Sequence, residues 1–362
     1  MSSKIIKRRS KNVFNLPVST YVCMICMNSK EDKFASERKK DHIELAFESQ
    51  TLDDLRDSRF FYEPAINHMT SEKQDISLDF LGGQMDAPIW VSSMTGGTEM
   101  AGHINKNLAK ACNEFGLGMG LGSCRQLLYS EEHFQDFNVR EIIGVQPLFA
   151  NLGIAQVIDC VRKEQYKKVE DLVSKLRADG LIIHINPMQE WMQPEGDIID
   201  MNPIECIQSV IDNSDIAIVV KEVGQGFGPE SLKELLGLDI LGIELAGFGG
   251  TNFTRLEALR RQENFHSEFV NIGHTPEEMI NFINEIGKTS LKAQLKHIII
   301  SGGIKDYLTG YYLNQKCNQS SVYGQASSFL KQAMGSYAQL AKYIEAQIEG
   351  YKMASQYLTI AK

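Results

Sequence analysis

The hydrophobic positions of this chain form short continuous runs, not alternating ones. From residue 87 onward, eight runs rich in Val, Ile and Leu end mostly in glycine or in a polar cluster. Continuous apolar runs of this length are typical of strands that are buried on both faces, as in parallel sheets. The predicted strands cover residues 87–94, 116–123, 146–153, 180–186, 216–224, 240–247, 297–304 and 320–326.

Helical patterns separate most of these strands. The clearest predicted helices cover residues 102–114, 164–178, 203–212 and 229–236. Eight strands that mostly alternate with helices predict an α/β fold, a (β/α)₈ TIM barrel. The competing fold is a doubly wound sheet, which would suit five to seven strands better. Its glycine turn is also missing, because Gly118, Gly120 and Gly122 lack the required spacing.

Charge and cysteine content narrow the class of protein. The 37 Lys and Arg against 46 Asp and Glu give a net charge of −9, which argues against nucleic-acid binding but allows a local anion site. No apolar run is long enough to predict a transmembrane helix, so no membrane partner is expected. The odd cysteine count of seven predicts a reduced, cytoplasmic protein. Cys23 and Cys26 form an isolated pair without the further ligands that zinc needs.

The N-terminal segment differs from the rest of the chain. Residues 1–11 carry five basic side chains and no acidic one, and the apolar stretch that follows is too short for a secretory signal. We predict that residues 1–37 are a flexible extension and that residues 38–362 form a single barrel domain. A transit peptide, or a true start at Met24 or Met27, are the alternatives.

Polar residues and glycines follow the predicted strands, at the end where barrels of this type place their chemistry. Glycine-rich turns after the last three strands, with Thr251 in the first of them, predict a phosphate site. Lys221 interrupts an otherwise apolar strand and therefore needs a polar partner. The sequence pattern alone allows three roles for Lys221: a structural ion pair, a Schiff base, or a donor to an electron-rich ring.

The segment after the fourth strand has the most polar groups. His184 and Asn186 are two residues apart, so both face the same side of a strand. The acidic and amide residues that follow are expected on a loop, where Glu190 suits Mg²⁺. The alternative is a solvated acidic loop. The residues of this predicted loop are Gln189, Glu190, Glu195 and Asp197.

Taken together, these motifs resemble the type 2 isopentenyl-diphosphate isomerases, which are FMN-dependent barrel enzymes of isoprenoid biosynthesis. The resemblance runs from about Arg38 to about Leu330. Its most specific parts are the Arg-Lys-x-x-His run and the Asn-Pro-x-Gln-Glu run with Pro-Glu-Gly-Asp. The residues that carry it are Arg38-Lys39-Lys40-Asp41-His42, Ser93-Met94-Thr95-Gly96-Gly97, Gly122-Ser123-Cys124-Arg125, Ala150-Asn151-Leu152-Gly153, His184-Ile185-Asn186, Gln189-Glu190, Pro194-Glu195-Gly196-Asp197, Lys221-Glu222-Val223-Gly224, Gly249-Gly250-Thr251 and Ser301-Gly302-Gly303.

The resemblance implies interconversion of isopentenyl and dimethylallyl diphosphate, a 1,3-allylic proton shift, with FMN, Mg²⁺ and NADPH or NADH as reductant. It implies Glu190 as the metal ligand, and Gln189 and His184 as catalytic groups. The implied substrate-binding residues are Arg38, Lys39, His42, Ser123, Arg125, His184, Asn186 and Gln189. The implied FMN-binding residues are Ser93, Met94, Thr95, Ser123, Asn151, Lys221, Thr251, Gly302, Gly303 and Ala326.

The resemblance also implies a homo-oligomer, either a tetramer or an octamer, and a small diphosphate as the only partner. Two departures lie at expected FMN contacts: Ala246 stands where the family commonly has serine, and Lys305 where arginine is common. Two other functions stay open. One is a different FMN barrel enzyme, such as a 2-hydroxy-acid oxidase or a dihydroorotate-type dehydrogenase. The other is a catalytically silent flavin-binding or assembly protein.

Overall fold

The computed structural model describes residues 34–67, 74–261 and 267–361, and the chain divides into two compact units, residues 1–57 and 58–362. Within the first unit lie helix α1 (Ala35–Leu45), none of whose residues is buried, and a 3₁₀ turn (Asp53–Leu55). The predicted boundary at residue 37 stays a prediction. Residues 1–33, including Cys23, Met24, Cys26 and Met27, lie outside the described residues.

The second unit is built around a closed barrel of eight parallel strands. These strands follow one another around the ring in chain order, and the last pairs with the first to close it. The prediction of a TIM barrel is therefore confirmed, and the alternative of an open doubly wound sheet is wrong. The strands are β1 (Phe60–Tyr62), β2 (Leu78–Phe80), β3 (Gly83–Met85), β4 (Ile89–Val91), β5 (Gly118–Gly120), β6 (Leu148–Gly153), β7 (Gly180–His184), β8 (Ile218–Lys221), β9 (Gly242–Glu244), β10 (His297–Ser301), β11 (Ser321–Gln325) and β12 (Leu358–Ile360).

Helices surround the barrel, and all four that the sequence predicted most clearly are present. Caps set the ends of the first of them, Glu99–Phe115: Thr98 accepts the Ala101 N–H at its start, and Gly116 ends it at a φ of 64°. The helices of this unit are α2 (Glu99–Phe115), α3 (Phe134–Phe137), α4 (Arg140–Ile143), α5 (Ile154–Arg162), α6 (Tyr166–Leu176), α7 (Pro187–Met192), α8 (Pro203–Asn213), α9 (Pro229–Gly237), α10 (Phe253–Arg261), α11 (Pro276–Gly287), α12 (Leu291–Gln294), α13 (Tyr307–Lys316), α14 (Ser327–Ala333) and α15 (Tyr337–Tyr357), with 3₁₀ turns at Arg125–Leu128 and Ser267–Asn271.

Two short pairings complete the unit, and the sequence patterns did not indicate either. Strands β2 and β3 form an antiparallel hairpin ahead of the barrel, and β1 pairs with the C-terminal β12. Among the described residues, no helix combines the length and apolar character needed to cross a bilayer.

The barrel interior has an apolar layer near the amino ends of the strands and a polar layer above it. Side chains from six strands pack there with the β2–β3 hairpin, and Phe80 contacts the His297 ring at 4.8 Å between centroids. Since side chains alternate along a strand, the residues two positions further on also face the interior. The apolar layer comprises Phe80, Leu81, Met85, Trp90, Phe149, Ile182, Val219, Ile299 and Val322, and the polar layer above it includes Ser92, Asn151, His184, Lys221, Glu244 and Ser301.

Candidate active site

Two adjoining cavities open at the carboxyl ends of the barrel strands. Both are lined by Ser93, Met94, Lys221, Val223 and Phe253, so they form one continuous site. The first cavity extends over the ends of β9, β10 and β11, and the second over β5, β6 and β7. The site thus lies where TIM barrels carry their ligands.

The first cavity is bounded by two glycine turns that pack backbone against backbone. Gly249, Gly302 and Gly303 have φ values of 117°, 106° and 72°, which side chains disfavour. A Cβ on Gly302 would lie 2.1 Å from the Gly247 carbonyl oxygen, and one on Gly250 would lie 2.7 Å from the Gly303 nitrogen. Only glycine therefore keeps both turns this close, and they form a backbone cradle of the kind that binds anions.

Hydroxyl groups and two ammonium groups line the same cavity around the cradle. Thr251 and Ala326, two predicted cofactor residues, are both in the lining, as are Gly302 and Gly303. The two departures from the family pattern, Ala246 and Lys305, also line it. Sequence reasoning missed Ser327 and Ser328, although two serines directly after the last strand were a readable signal.

The second cavity is built around a histidine and an asparagine. Asn151 donates its amide N–H to the Leu121 carbonyl at 3.0 Å, and its Oδ1 lies 2.8 Å from His184 Nδ1. With the amide assigned in this orientation, Nδ1 carries the proton and Nε2 is left as an acceptor. Ser123 and Gln189 line the same cavity.

His184 is held in its neutral form. Burial, with a further contribution from the positive charge of Lys221, lowers the pKa of His184 from 6.5 to about 3. Both effects disfavour a second positive charge in the site. At neutral pH the imidazole therefore offers a lone pair, not an acidic proton.

Lys221 is the buried cation of the site, with 7% of its surface exposed. Its ammonium donates to the Glu222 carbonyl oxygen at 2.6 Å, which is the polar partner that the sequence required. Glu222 is buried in turn, and its Oε2 accepts the N–H groups of Gly224, Gln225 and Gly226 at 2.6 to 2.7 Å. Burial nevertheless raises the pKa of Glu222, the backbone hydrogen bonds acting in the opposite direction. The loop after β8 is thereby fixed beside Lys221.

The predicted acidic loop is partly a helix, which corrects the sequence prediction. Gln189 and Glu190 lie in α7, because Pro187 at its first position favours a helix start. Asn186 is buried just before it and donates to Gln189 Oε1 at 3.2 Å and to Glu190 Oε1 at 2.8 Å. The second Glu190 oxygen accepts the Asp197 N–H at 2.7 Å. The Gln189 amide oxygen accepts from Asn186, and Gln189 also lines the second cavity.

The remaining acidic residues of this segment are paired with arginines. Asp197 forms an ion pair with Arg125 at 2.7 Å and also accepts from Gln156 at 2.8 Å. Glu195 pairs with Arg260 at 2.6 Å. Arg125 is therefore near the segment after β7 but is half-exposed and does not line either cavity.

Six other predicted residues lie elsewhere. Thr95 lines a smaller neighbouring cavity together with Met94 and Ala326. Asn186 and Glu190 support the wall behind Gln189 without lining either of the two cavities. Arg38, Lys39 and His42 belong to helix α1 of the first unit.

For a metal, the described part of the chain offers few ligands. It contains no group of three or more His, Cys, Asp or Glu side chains arranged to hold an ion. Glu190 lies against Asn186, whose buried Oδ1 has no hydrogen-bond partner. A carboxylate and an amide oxygen fit Mg²⁺ when water and a phosphate supply the other ligands.

No protein-family model matches this chain. Curated relatives named isopentenyl-diphosphate delta-isomerase include those of Rickettsia felis and Rickettsia prowazekii, each 33% identical over 331 residues. The alignments cover 90% of this chain and 93% and 94% of the two relatives. The Rickettsia typhi protein of the same name is 32% identical over 324 residues.

Among solved structures, the recombinant flavin-binding domain of baker's yeast flavocytochrome b2 superposes with a TM-score of 0.56 at 15% identity, over 82% of this chain and 71% of that one. A flavocytochrome b2 mutant with pyruvate bound gives 0.58 at 16% identity, with the same coverage. These structures share the barrel fold. The identity of one third along nine tenths of the chain decides the family: the chain belongs to the type 2 isopentenyl-diphosphate delta-isomerases.

Proposed function

We propose that this protein binds FMN and interconverts isopentenyl and dimethylallyl diphosphate by a 1,3-allylic proton shift. The observation that carries the proposal is the convergence of Lys221, Asn151 and the Gly302-Gly303 turn on one continuous site. These residues come from three strands that are far apart in the chain. Family membership supplies the reaction, and the site supplies groups that fit it.

The residues of the site fit FMN. The glycine cradle with Thr251, Ser327 and Ser328 suits a phosphate, and its position after the last strands matches the usual phosphate site of barrels. Ser93 Oγ is buried at the junction of the two cavities without a hydrogen-bond partner, so a ligand there would satisfy it. When bound and reduced, FMN would supply an electron-rich ring for the reaction.

The chain's own groups orient the substrate and control protons. Lys221 places a positive charge at the junction, which favours an anionic ligand there. His184 presents a neutral acceptor nitrogen, and Gln189 presents amide N–H groups on the same wall. A neutral amide is a weak acid, so we assign Gln189 to orientation or proton relay and His184 to proton acceptance.

The diphosphate and the metal complete the proposal. We assign Arg38, Lys39, His42 and Arg125 to the diphosphate, because cations that bind the unreactive end hold a small hydrocarbon in place. Glu190 would hold Mg²⁺ against the same phosphates. On the same resemblance we propose that NADPH or NADH is the reductant and that the protein is a homo-oligomer. A cytoplasmic location is proposed from the odd number of cysteines.

The test uses the purified full chain, stripped of flavin and then reconstituted. Under anaerobic conditions with dithionite, Mg²⁺ and isopentenyl diphosphate, we expect dimethylallyl diphosphate to form only when FMN is present. FMN binding without any isomerisation would favour a silent flavin protein. Oxidation of a 2-hydroxy acid in place of isomerisation would favour the oxidase alternative.

A further inference from the structure

A buried carboxyl group lies beneath the candidate site and has no place in the proposed chemistry. Glu244 on β9 has none of its surface exposed. Its Oε1 accepts a hydrogen bond from Ser301 Oγ at 3.1 Å, and its Oε2 is buried without any hydrogen-bond partner. A carboxyl group buried with half of its acceptors unused costs stability, which calls for a reason.

Strand register places Glu244 beside Lys221. Lys221 on β8 and Ile299 on β10 are its register partners, and Ile299 belongs to the apolar layer inside the barrel. Register partners in neighbouring strands point to the same face, so the side chains of Glu244 and Lys221 enter the same interior. Lys221 donates to the Glu222 carbonyl instead, and no direct ion pair joins it to Glu244.

One hydrogen bond connects Glu244 to the wall of the cavity. Ser301 Oγ donates to Glu244 and accepts the Ala246 N–H at 3.0 Å. Ser301, Ala246 and Lys221 all line the first cavity, whereas Glu244 lies just behind them. The carboxyl group is therefore within one side chain of any ligand there, in a region where water does not screen its charge.

We propose that Glu244 is a positioning residue whose negative charge offsets that of Lys221 and so lowers the reduction potential of the bound flavin. The inference rests on the proposed FMN site. Two-electron reduction with uptake of one proton adds one negative charge to the flavin. A carboxylate nearby opposes that charge, while the Lys221 ammonium favours it. The pair sets how electron-rich the reduced ring is.

Glu244→Gln separates this electrostatic role from a structural one. The Gln amide oxygen still accepts from the Ser301 hydroxyl, so the hydrogen bond is kept and only the charge is lost. The readout is the midpoint potential of bound FMN at pH 7, measured during reduction with dithionite against a reference dye. Dithionite supplies the two electrons and water the proton.

We expect Glu244→Gln to raise the midpoint potential, making reduction at least tenfold more favourable, which is about 30 mV for a two-electron couple. Glu244→Asp, which keeps the charge, is expected to retain the wild-type potential. Lys221→Met is expected to lower the potential, and adding Glu244→Gln to that variant should raise it again. The double variant lacks both buried charges, so its comparison with Lys221→Met can be made even if Glu244→Gln alone folds poorly.

The outcomes separate the inference from the proposed function. If wild-type apoprotein takes up no FMN in a titration followed by absorbance, the proposed function itself fails. If FMN binds but neither pair of variants shows a rise on Glu244→Gln, the electrostatic role is overturned and Glu244 serves only to hold Ser301. An equal shift in Glu244→Asp would overturn it too.

Discussion

At the scale of single residues, the site depends on groups whose protonation is fixed by their surroundings. His184 shows this most clearly, because a histidine in water takes up a proton as the pH falls through about 6.5. Burial and Lys221 together keep it neutral, and Asn151 fixes which nitrogen bears the proton. The same surroundings make His184 a source of pH-dependent stability.

The pKa of His184 is about 3 in the folded chain and near 6.5 when unfolded. Below 6.5 the unfolded state takes up a proton that the folded state refuses, so stability falls as pH drops. We expect His184→Asn to reduce this loss. The measurement is the urea midpoint of both proteins at pH 7 and at pH 5, with the wild type losing more. Equal losses would contradict the assignment.

Glu190 makes a second prediction at this scale. Glu190→Gln retains an oxygen for Asn186 but loses the charge that would attract Mg²⁺. We expect the Mg²⁺ concentration for half-maximal isomerisation to rise by about tenfold or more. Glu195→Gln is the matched control, since Glu195 is already paired with Arg260. Its Mg²⁺ titration should match that of the wild type. An unchanged metal titration in Glu190→Gln would refute the metal role.

At the scale of elements, the turns after β9 and β10 matter more than the strands themselves. Their glycines are required by close backbone approach, a constraint that cannot be relaxed by moving a flexible side chain. By contrast, Gly237 at the end of α9 has nothing within 4 Å of the position its Cβ would take. Gly302 and Gly237 therefore provide a matched pair for a substitution test.

We expect Gly302→Ala to weaken FMN binding by roughly tenfold or more. The strained φ alone costs about 1–2 kcal/mol, and 1.4 kcal/mol corresponds to a factor of ten. Gly237→Ala should leave FMN affinity unchanged, because a Cβ at this position would face open space. Titration of the two apoproteins with FMN, followed by flavin fluorescence, measures both. Equal affinity in the two variants would show that the cradle does not hold the phosphate.

At the scale of the whole molecule, the β2–β3 hairpin closes the end of the barrel opposite the site. Phe80 is fully buried there and packs against Trp90, at 6.4 Å between ring centroids, and against His297. The polar layer of the site therefore rests on the apolar layer. The residues of the apolar layer contribute to stability and not to ligand binding, since none of them lines the two cavities.

Phe80→Ala is expected to destabilise the protein by about 3–5 kcal/mol, because it leaves a cavity in a packed interior. Phe61→Ala is the control, since 58% of the Phe61 surface is exposed, and it should have little effect. Chemical unfolding followed by circular dichroism measures the difference. A small effect at Phe80 would mean that the hairpin does not seal the barrel.

Much of the fold was readable from the sequence because a parallel barrel strand is apolar on both faces. All eight predicted strands are present. Seven of them end earlier than predicted, as β8 and β9 do, and β6 ends at Gly153 as predicted. The continuous Val and Ile runs cannot form exposed strands, so their number and spacing were enough to favour a closed ring. The pairing of β1 with β12 was not readable, since it joins residues 296 to 300 positions apart.

The barrel, the glycine turns and the buried Lys221 could be predicted from local patterns, because burial and backbone geometry restrict which residue types can occupy those positions. Which polar groups meet across the barrel depends on the folded structure. Three contacts of the site join residues tens of positions apart. They are the Arg125–Asp197 ion pair, the hydrogen bond of Ser301 to Glu244 and that between His184 and Asn151. Such contacts depend on strand register, and register follows from packing of the whole ring, which no local pattern encodes.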